Sequence, residues 1–494
     1  MHTPFYYFTW FYEYAVFFYG IILFISYLLL ALFSSIAIRA YFRTKSYTDN
    51  ETIIYSPLAP GISVIAPAYN EELSIIANVR SLLTLNYVFY EVIIINDGST
   101  DKTLELLIEE FELVKIDYPY IDRINTQPVK QFFKSVNPAF SKLLVIDKEN
   151  GKSKADGSNA GINAAKYPYY VCTDVDCILH KDTLVELMRP IIQESKRTII
   201  ATGGPLRMAN SCDFEGGELI RMRPPKPLIP RFQEIEYIRA YMLSKMGWSL
   251  VNAVPNVSGG LGLFNTEIAI KAGGYDYKSY AEDQDLIMRM IQYCCQEKIK
   301  YGIKYVPKTL CWTEGPPTLK AFVRQRTRWA QGLLQLMLAH KKMFFNPRYK
   351  RAGLIVFPYN FFFEFIAPVV EITGITYMII LALMDRINWP FAAVVFTFAY
   401  IYSVCMSIIA VLWDQLAFKN YKTWKEAIGL CLTAFVEMFL FHPIVLFSGI
   451  RGYIYYMAGR RDKWGDMQRK GFETKKTKKP AEERTTAPSY QPQP

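Results

Sequence analysis

Four aspartates stand where a chain can use them. Asp97 follows the apolar run Tyr90-Glu-Val-Ile-Ile-Ile95 and opens the turn Gly98-Ser99-Thr-Asp101. Asp174-Val-Asp176 directly follows a second apolar run, Tyr169-Tyr-Val-Cys-Thr173. Asp283 lies in Glu282-Asp283-Gln-Asp285, ahead of the apolar stretch 286–294. Basic and aromatic groups accompany them: Lys152 and Lys154 before a stretch bearing Asn159, and Gln325-Arg-Thr-Arg328-Trp329. Two carboxylates one residue apart at a strand end can aim one at a divalent cation and the other at the same ion or a ribose. Mg2+ and Mn2+ choose oxygen ligands and keep positions open for phosphate oxygens. Lysines in a loop can meet a diphosphate, and a carboxylate can take the proton of an attacking hydroxyl. An amide, a cation and an indole at helical spacing suit a pyrophosphate and a stacked sugar ring. These are the requirements of sugar transfer from a nucleotide-sugar: a neutralised leaving group, an oriented donor, and a base for the acceptor, the part for which Asp283 is the candidate.

Each motif alone also has a structural reading. An Asp-x-Asp pair occurs by chance in many loops. Ser99 or Asp101 can simply cap a helix after a strand and turn. Lys152 and Lys154 can form a solvated basic loop, and the acidic residues at 282–285 can favour a helix N-terminus. Residues 325–329 can be a basic interfacial helix with a tryptophan anchor.

The elements that must position these residues form an alternating series. Residues 61–67 are a short β-branched run ending in Pro67, which predicts a strand, and 72–85 has a helical pattern. Residues 90–95, 143–146 and 169–173 predict three more strands, with a helix opening at Asp101. Strands alternating with helices argue for an α/β domain with a mostly parallel sheet covered on both faces. In such sheets ligands bind at the carboxyl ends of the strands, where Asp97 and Asp174 stand. Residues 112–142 receive no assignment.

Around this domain the chain is apolar. Of 494 residues, 51% are hydrophobic and only 20% charged. That is too apolar for a soluble protein and too long for one domain. Residues 14–38 carry no charge and are long enough to cross a bilayer core as a helix. The missing basic n-region and cleavage site argue against a signal peptide. Arg39, Arg43 and Lys45 follow, which predicts an outward N-terminus and a cytoplasmic domain beneath an inner or plasma membrane. Three more apolar stretches occupy 353–384, 389–413 and 427–447. The first contains Pro358, Glu364, Pro368 and Glu371, so it is expected to be partly re-entrant or broken, giving three or four segments. The intramembrane carboxylates are expected to face protein, water or the interface. Three plain crossings would leave Arg451, Arg460, Arg461 and Lys463 outside, against the charge rule. Residues 333–352 carry Lys341, Lys342, Arg348 and Lys350 on an otherwise apolar stretch and predict an interfacial helix. The expected domains are therefore 1–54 (membrane segment and basic linker), 55–332 (catalytic), 333–352 (interfacial), 353–460 (membrane) and 461–494 (basic, disordered, cytoplasmic). The net charge of +11 fits membrane-facing basic loops, and no nucleic-acid recognition module accompanies it. Eight cysteines without paired spacing read as free thiols, and four histidines leave few candidates for a histidine base.

The order Pro67-Ala-Tyr69-Asn70-Glu71, Asn96-Asp97-Gly98-Ser99, Asp174-Val-Asp176, Glu282-Asp283 and Gln325-x-x-Arg328-Trp329 resembles glycosyltransferase family 2. Within it, the chain is similar to the processive membrane branch of cellulose, chitin, hyaluronan and poly-N-acetylglucosamine synthases, over about residues 55–335. The Gln-x-x-Arg-Trp element is the most specific part of the likeness. The resemblance implies a GT-A (Rossmann-like) cytoplasmic domain flanked by transmembrane helices, and an inverting reaction. It implies Tyr69 and Glu71 at the nucleobase and ribose, and Asp97 at the uracil. Lys154 and Asp174 would hold the diphosphate, with Asp176 on Mg2+ or Mn2+. Asp283 would be the base. Glu282, Gln325, Arg328 and Trp329 would lie at the pyrophosphate and the acceptor. Residues 256–260 more loosely resemble the family's acceptor-side loop. Ala281 departs from the pattern, which has a threonine before Glu-Asp.

The resemblance favours a processive synthase that polymerises from a UDP-sugar and exports the glycan. Its expected partners are the donor, a glycan acceptor, membrane lipid and accessory export subunits. A single-transfer enzyme acting on a lipid-linked acceptor is the alternative, separated by product length. A non-catalytic membrane subunit is a third reading, against which the intact aspartates argue.

Overall fold

A computed structural model describes residues 4–45, 50–54, 56–215 and 217–460. The tail 461–494, for which disorder is expected, lies outside the described residues. The strands are β1 (Ile62–Ala68), β2 (Tyr90–Asp97), β3 (Leu113–Ile116), β4 (Val129–Ser135), β5 (Leu143–Lys148), β6 (Tyr169–Thr173), β7 (Cys177–Leu179), β8 (Thr198–Gly203), β9 (Leu206–Met208), β10 (Asp213–Glu215), β11 (Glu218–Arg221), β12 (Leu261–Asn265), β13 (Tyr301–Tyr305) and β14 (Cys311–Thr313). The helices that carry the site and the membrane region are α1 (Pro4–Lys45), α2 (Lys154–Ala164), α3 (Leu228–Arg239), α4 (Glu282–Gln296), α5 (Leu319–Ala339), α6 (Ala367–Leu383), α7 (Trp389–Phe418), α8 (Trp424–Leu440) and α9 (His442–Met457).

Nine strands join in the order β13-β8-β12-β6-β1-β2-β5-β4-β3. Only β4 and β12 run against the other strands, so the sheet is mixed, although most of its strands share one direction. The central strands are apolar along their length because helices cover both faces; β2 is buried throughout. α2 lies flush on β1 and β2. A methyl at Gly161 would collide with Ile65, and one at Gly157 would come within 3.1 Å of Pro67. That closeness fixes where the N-terminus of α2 meets the strand ends.

Residues 112–142, unassigned from sequence, supply the antiparallel edge strands β3 and β4. The loop between them is fastened by buried Asn163. Its amide donates to the Ile124 carbonyl (2.8 Å) and accepts from the Ile124 N–H (3.0 Å). Asn159 does the same for Tyr275, at 2.8 Å in both directions.

Among the described residues, three helices are long and apolar enough to cross a membrane: Thr9–Thr44 within α1, Ala352–Leu383 and α7. The chain is a membrane protein on these spans. α8 and α9 pass the same test only as a pair, bent by 48°. The break expected in the first C-terminal stretch is therefore found in the last. Residues 352–383 absorb Pro358 and Pro368 at helix starts, with π-type turns at Ala352–Val356 and Asn360–Phe365. The bend falls at Phe441, just before Pro443, whose ring cannot continue the preceding helix. Residues 333–352 are not one interfacial helix either. The first seven complete α5, and 3-10 turns follow at Lys341–Met343 and Pro347–Tyr349. Pro347 ends any helix there.

Buried ion pairs fasten the sheet domain to the membrane helices. Arg207 of β9 lies between Glu234 of α3, at 3.3 Å, and Asp414 of α7. Tyr421 donates to Glu234 (2.7 Å), and Asn420 donates to both Asp414 oxygens (3.1 and 3.0 Å). Arg239 grips Glu437 of α8 through two nitrogens, at 3.1 and 2.9 Å. Intramembrane Glu371 meets His442 at 2.7 Å. Asp414→Ala would leave Arg207 with one of its two counter-charges. It is expected to cost about 3–5 kcal/mol, the usual loss on breaking a buried pair. Thermal unfolding of the detergent-solubilised protein measures this; an unchanged midpoint would show that the cluster does not hold the domain to the helix.

Candidate active site

β2 and β5 end side by side, and their register pairs Asp97 with Lys148. Lys148 is fully buried and donates to Asp97 (2.7 Å), to the Glu149 carbonyl (2.6 Å), and to Asp156 in the first turn of α2. Asp97 also accepts the Gly151 N–H at 3.0 Å. Burial pushes the Asp97 carboxyl up, and Lys148 and the Gly151 N–H oppose that push. Gly98 turns with φ +65°, and a Cβ there would stand 2.8 Å from the Asn150 nitrogen. The turn therefore needs glycine for both conformation and space.

β1 ends beside β2, with Ala68 paired to Asn96, which sets Tyr69 next to Asp97. The loop after β1 is laced to the loop after β2. Asn70 N–H donates to Ser99 Oγ (3.1 Å), Glu71 N–H to Thr103 Oγ1 (2.9 Å) and Glu72 N–H to Asp101 (3.1 Å). Ser74 donates to Glu71 at 2.6 Å. Tyr69 is 43% exposed, so its ring is free to stack.

A second group forms where β6 ends. Lys154, the first residue of α2, is ion-paired with Asp174 and donates to the Gly259 carbonyl at 2.7 Å. Burial pulls the Lys154 pKa down, but Asp174 outweighs it, and the net shift is upward. Lys154 thus stays a cation at any working pH. The Gly259 N–H in turn donates to Asp283 at 2.9 Å. The other Asp283 oxygen accepts the Gln284 N–H at 2.8 Å, at the start of α4. One glycine thus carries Lys154 on its carbonyl and Asp283 on its N–H. Asp174, Asp176 and Cys177 offer ligand atoms within 4.8 Å of one another. The Cys177 thiol is held well above its ordinary value, first by its hydrogen bond to Cys311 and then by burial. A protonated thiol leaves two carboxylates, a hard oxygen set that fits Mg2+ or Mn2+.

α5 closes the third side. The Glu282 carboxyl is raised by burial and by Asp283, and the charges of Arg328 and Lys154 oppose the shift. Glu282, Asp283, Lys154 and Arg328 therefore share one field. Arg328 has no ion-pair partner among the described residues and is available to an anion. Gln325 and Trp329 are differently engaged. Gln325 accepts from Gln233 at 3.1 Å. The cation over Trp329 is Arg326, at 4.6 Å, which is also paired with Glu236. Asp285 faces away and binds His340 (2.8 Å) and Arg289 (2.7 Å). Lys152 is exposed, in a turn at φ 57°.

Sequence reasoning missed two lysines. Lys148 is hidden at the end of an apolar strand, between Asp147 and Glu149, where it reads as part of a solvated charged turn. Lys245 ends a π-type turn, Ala240–Lys245, with its ammonium 5.0 Å from the Tyr241 ring and 5.4 Å from Tyr305. Burial lowers its pKa to about 8, against the Asp283 charge.

A parallel-centred sheet with two carboxylates at the end of β6 and a lysine-lined strand edge is the GT-A arrangement of a glycosyltransferase. Residues 63–205 match the model of Glycosyl transferase family 2, and 235–423 that of Glycosyl transferase family group 2. The chain belongs to glycosyltransferase family 2. It is 28% identical over 278 residues to a poly-beta-1,6-N-acetyl-D-glucosamine synthase of Staphylococcus epidermidis, a match covering 56% of each chain. It is 27% identical over 296 residues to the synthase of that name from Staphylococcus aureus, covering 60% of each. The match thus spans less than two thirds of these relatives. Among solved structures, the mannosyltransferase PcManGT from Pyrobaculum calidifontis, in complex with GDP-Man and Mn2+, aligns with 83% of this chain and 98% of its own. The identity there is 19% and the TM-score 0.46. S. aureus TarS 1–349 in complex with UDP aligns with 83% of this chain and 94% of its own, at 15% identity and TM-score 0.34.

Replacing Lys148 with methionine would strand two buried carboxylates, at about 3–5 kcal/mol. Lys148→Met/Asp97→Asn is expected to regain part of that loss, since only Asp156, which keeps the Gln127 N–H, then lacks a counter-charge. Urea-unfolding midpoints of the purified protein test this; equal midpoints for the single and double variants would show that Asp97 is not held by Lys148.

Proposed function

We propose that this glycosyltransferase takes its sugar from a UDP-sugar and adds it to a growing glycan, processively, passing the product into the membrane region. The observation that carries the reading is the meeting of Asp283, Gly259, Lys154 and Asp174 beside Arg328. It puts a hydrogen-bonded carboxylate next to a cation–carboxylate pair suited to a diphosphate. In the proposed roles, Tyr69 and Glu71 hold the base and ribose, and Asp97 the uracil. Lys154 and Arg328 meet the diphosphate. Asp174 and Asp176 would hold Mg2+ or Mn2+, which would neutralise charge on the leaving group. Asp283 removes the proton of the acceptor hydroxyl, its carboxylate aimed by the N–H groups of Gly259 and Gln284. Glu282 and Trp329 lie on the acceptor side. The Staphylococcus relatives favour N-acetylglucosamine as the sugar and a β-linked polymer as the product.

α5, which bears Arg328, packs directly on α9. A methyl at Gly452 would stand 2.6 Å from the Thr327 carbonyl and from the Ala330 methyl. This contact supports hand-off of the acceptor from the site to the membrane helices. The proposed topology has α1 entering from outside, a cytoplasmic catalytic domain over about 55–332, and two crossings at 352–383 and 389–418. The bent α8–α9 pair then dips in and returns. That path keeps Arg451 and Arg460, and the tail 461–494, on the cytoplasmic side and removes the charge conflict.

Asp283→Asn is expected to lower sugar transfer by roughly 10²–10⁴-fold, the usual weight of a general base, while UDP binding persists. A UDP-release screen over UDP-glucose, UDP-N-acetylglucosamine, UDP-galactose and UDP-glucuronate, with and without Mn2+, measures both donor choice and metal dependence. Product sizing then separates the readings: a single added sugar would overturn processivity, and full turnover by the variant would overturn the base. Turnover is also expected to fall as pH rises through about 8, where Lys245 loses its charge. Lys245→Arg should remove that limb, because a guanidinium stays charged; an unchanged pH profile would exclude Lys245 from the reaction.

A further inference from the structure

Away from the carboxylates lies a cavity of about 570 Å³, walled by the C-terminal end of α1, the C-terminal end of α7 and residues of β7, β11 and β14. It is distinct from the candidate active site. β7 leads from Asp176 to Leu179 in the cavity wall, roughly 10 Å at the usual strand rise. Both bounding helices are candidate spans that end here, at Thr44 and Phe418. The rim therefore sits at the membrane boundary, on the side that carries the sheet domain.

The lining is amphipathic and basic. Lys181, Lys308 and Lys419 face it, against one carboxylate, Glu218. Lys308 is shared with Asp182 and Glu186, each at 3.5 Å. Lys181 and Lys419 are exposed and have no ion-pair partner among the described residues. In the wall, Trp312 is 3% exposed and its indole N–H has no acceptor. That N–H is closed off from solvent, so the apolar faces of the indole form the wall there. On the membrane side, Phe42 stacks on Phe418 with ring centroids 5.4 Å apart. A second hollow, across Lys419, adds Lys422 and Trp424 to the same edge.

We infer that this cavity binds the headgroup of an anionic phospholipid. Lys181 and Lys419 contact the phosphate, and the acyl chains run along Phe42 and Phe418. The shared chemistry is a phosphate anion; the stacked phenylalanines at the ends of two spans favour a lipid over a soluble phosphate. The bound lipid would clasp α1 and α7 to the strand that follows the Asp174–Asp176 pair.

The test is native mass spectrometry of the full chain in detergent with added phosphatidylglycerol, phosphatidylcholine or inorganic phosphate. Lys181→Gln/Lys419→Gln is expected to retain phosphatidylglycerol roughly 25-fold less well, at the usual increment for two lysines near an anionic surface. Phosphatidylcholine should bind both proteins equally weakly, and Lys181→Arg/Lys419→Arg should retain phosphatidylglycerol, which also controls for folding. Three results would each overturn the assignment: undiminished phosphatidylglycerol in the glutamine variant, equal retention of the two lipids by the parent, or displacement of the lipid by inorganic phosphate alone.

Discussion

The sheet edge gathers more negative charge than it could hold unaided, and two buried lysines make the gathering stable. Asp97, Asp156, Asp174, Glu282 and Asp283 converge where β2, β5 and β6 end. Carboxylates so placed raise one another's pKa and repel. Lys148 answers Asp97 and Asp156 from within the strand layer, and Lys154 answers Asp174 from the first turn of α2. The pairs Lys148–Asp156 and Lys154–Asp174 draw on the same helix end, which Gly157 and Gly161 let press against β1 and β2. The position of α2 therefore sets the spacing of the two halves of the site.

A second constraint is the union of the sheet domain with the membrane helices. An interface between two independently folded parts would be expected to be mostly solvated. Here Arg207, Glu234 and Asp414 are each at most 1% exposed in their side chains. Charges so deeply buried tolerate little sliding, because any shift unpairs them at high cost. The helix that carries Arg328 is bound as firmly: Arg326 to Glu236, and α5 to α9 through Gly452. The site and the membrane segments are thus held in one frame rather than tethered by a linker.

The strand ends were legible in the sequence because buried parallel strands are short, apolar and bounded by turns. Asp97 and Asp174 could be placed on that pattern alone. The outer strands β3 and β4 were not, since Val129–Ser135 reads Val-Lys-Gln-Phe-Phe-Lys-Ser, with neither a continuous apolar run nor a regular alternation, on a half-exposed margin of the sheet. Lys148 was invisible because a single lysine in a strand usually marks an exposed face, whereas its partner Asp156 lies eight residues on, in a helix. The contact between Trp329 and its own helix is not legible from the Gln-x-x-Arg-Trp spacing, because neighbouring residues on a helix point in different directions. Arg326, three positions earlier, shares the face of Trp329. Pro358 and Pro368 predict a break in the first C-terminal stretch, but π-type turns flank Pro358 and Pro368 stands in the first turn of its helix, where a missing N–H costs nothing.

Ala281, the departure from the family pattern, has a packing reason. It caps α4 from a backbone at φ −131° and ψ 58°, immediately before Glu282 and Asp283. Across from it, a Cβ on Gly332 of α5 would stand 2.8 Å from the Ala281 methyl and 3.0 Å from the Tyr280 carbonyl carbon. The two helices touch through a methyl and a hydrogen. A threonine at 281 would add two heavy atoms where the gap is already closed. Gly332 lies one turn past Arg328, so the same contact sets how far Arg328 stands from Asp283. Loss of the hydroxyl and close approach of α5 are then one adjustment: the residue beside Asp283 is small because the cation-bearing helix is near.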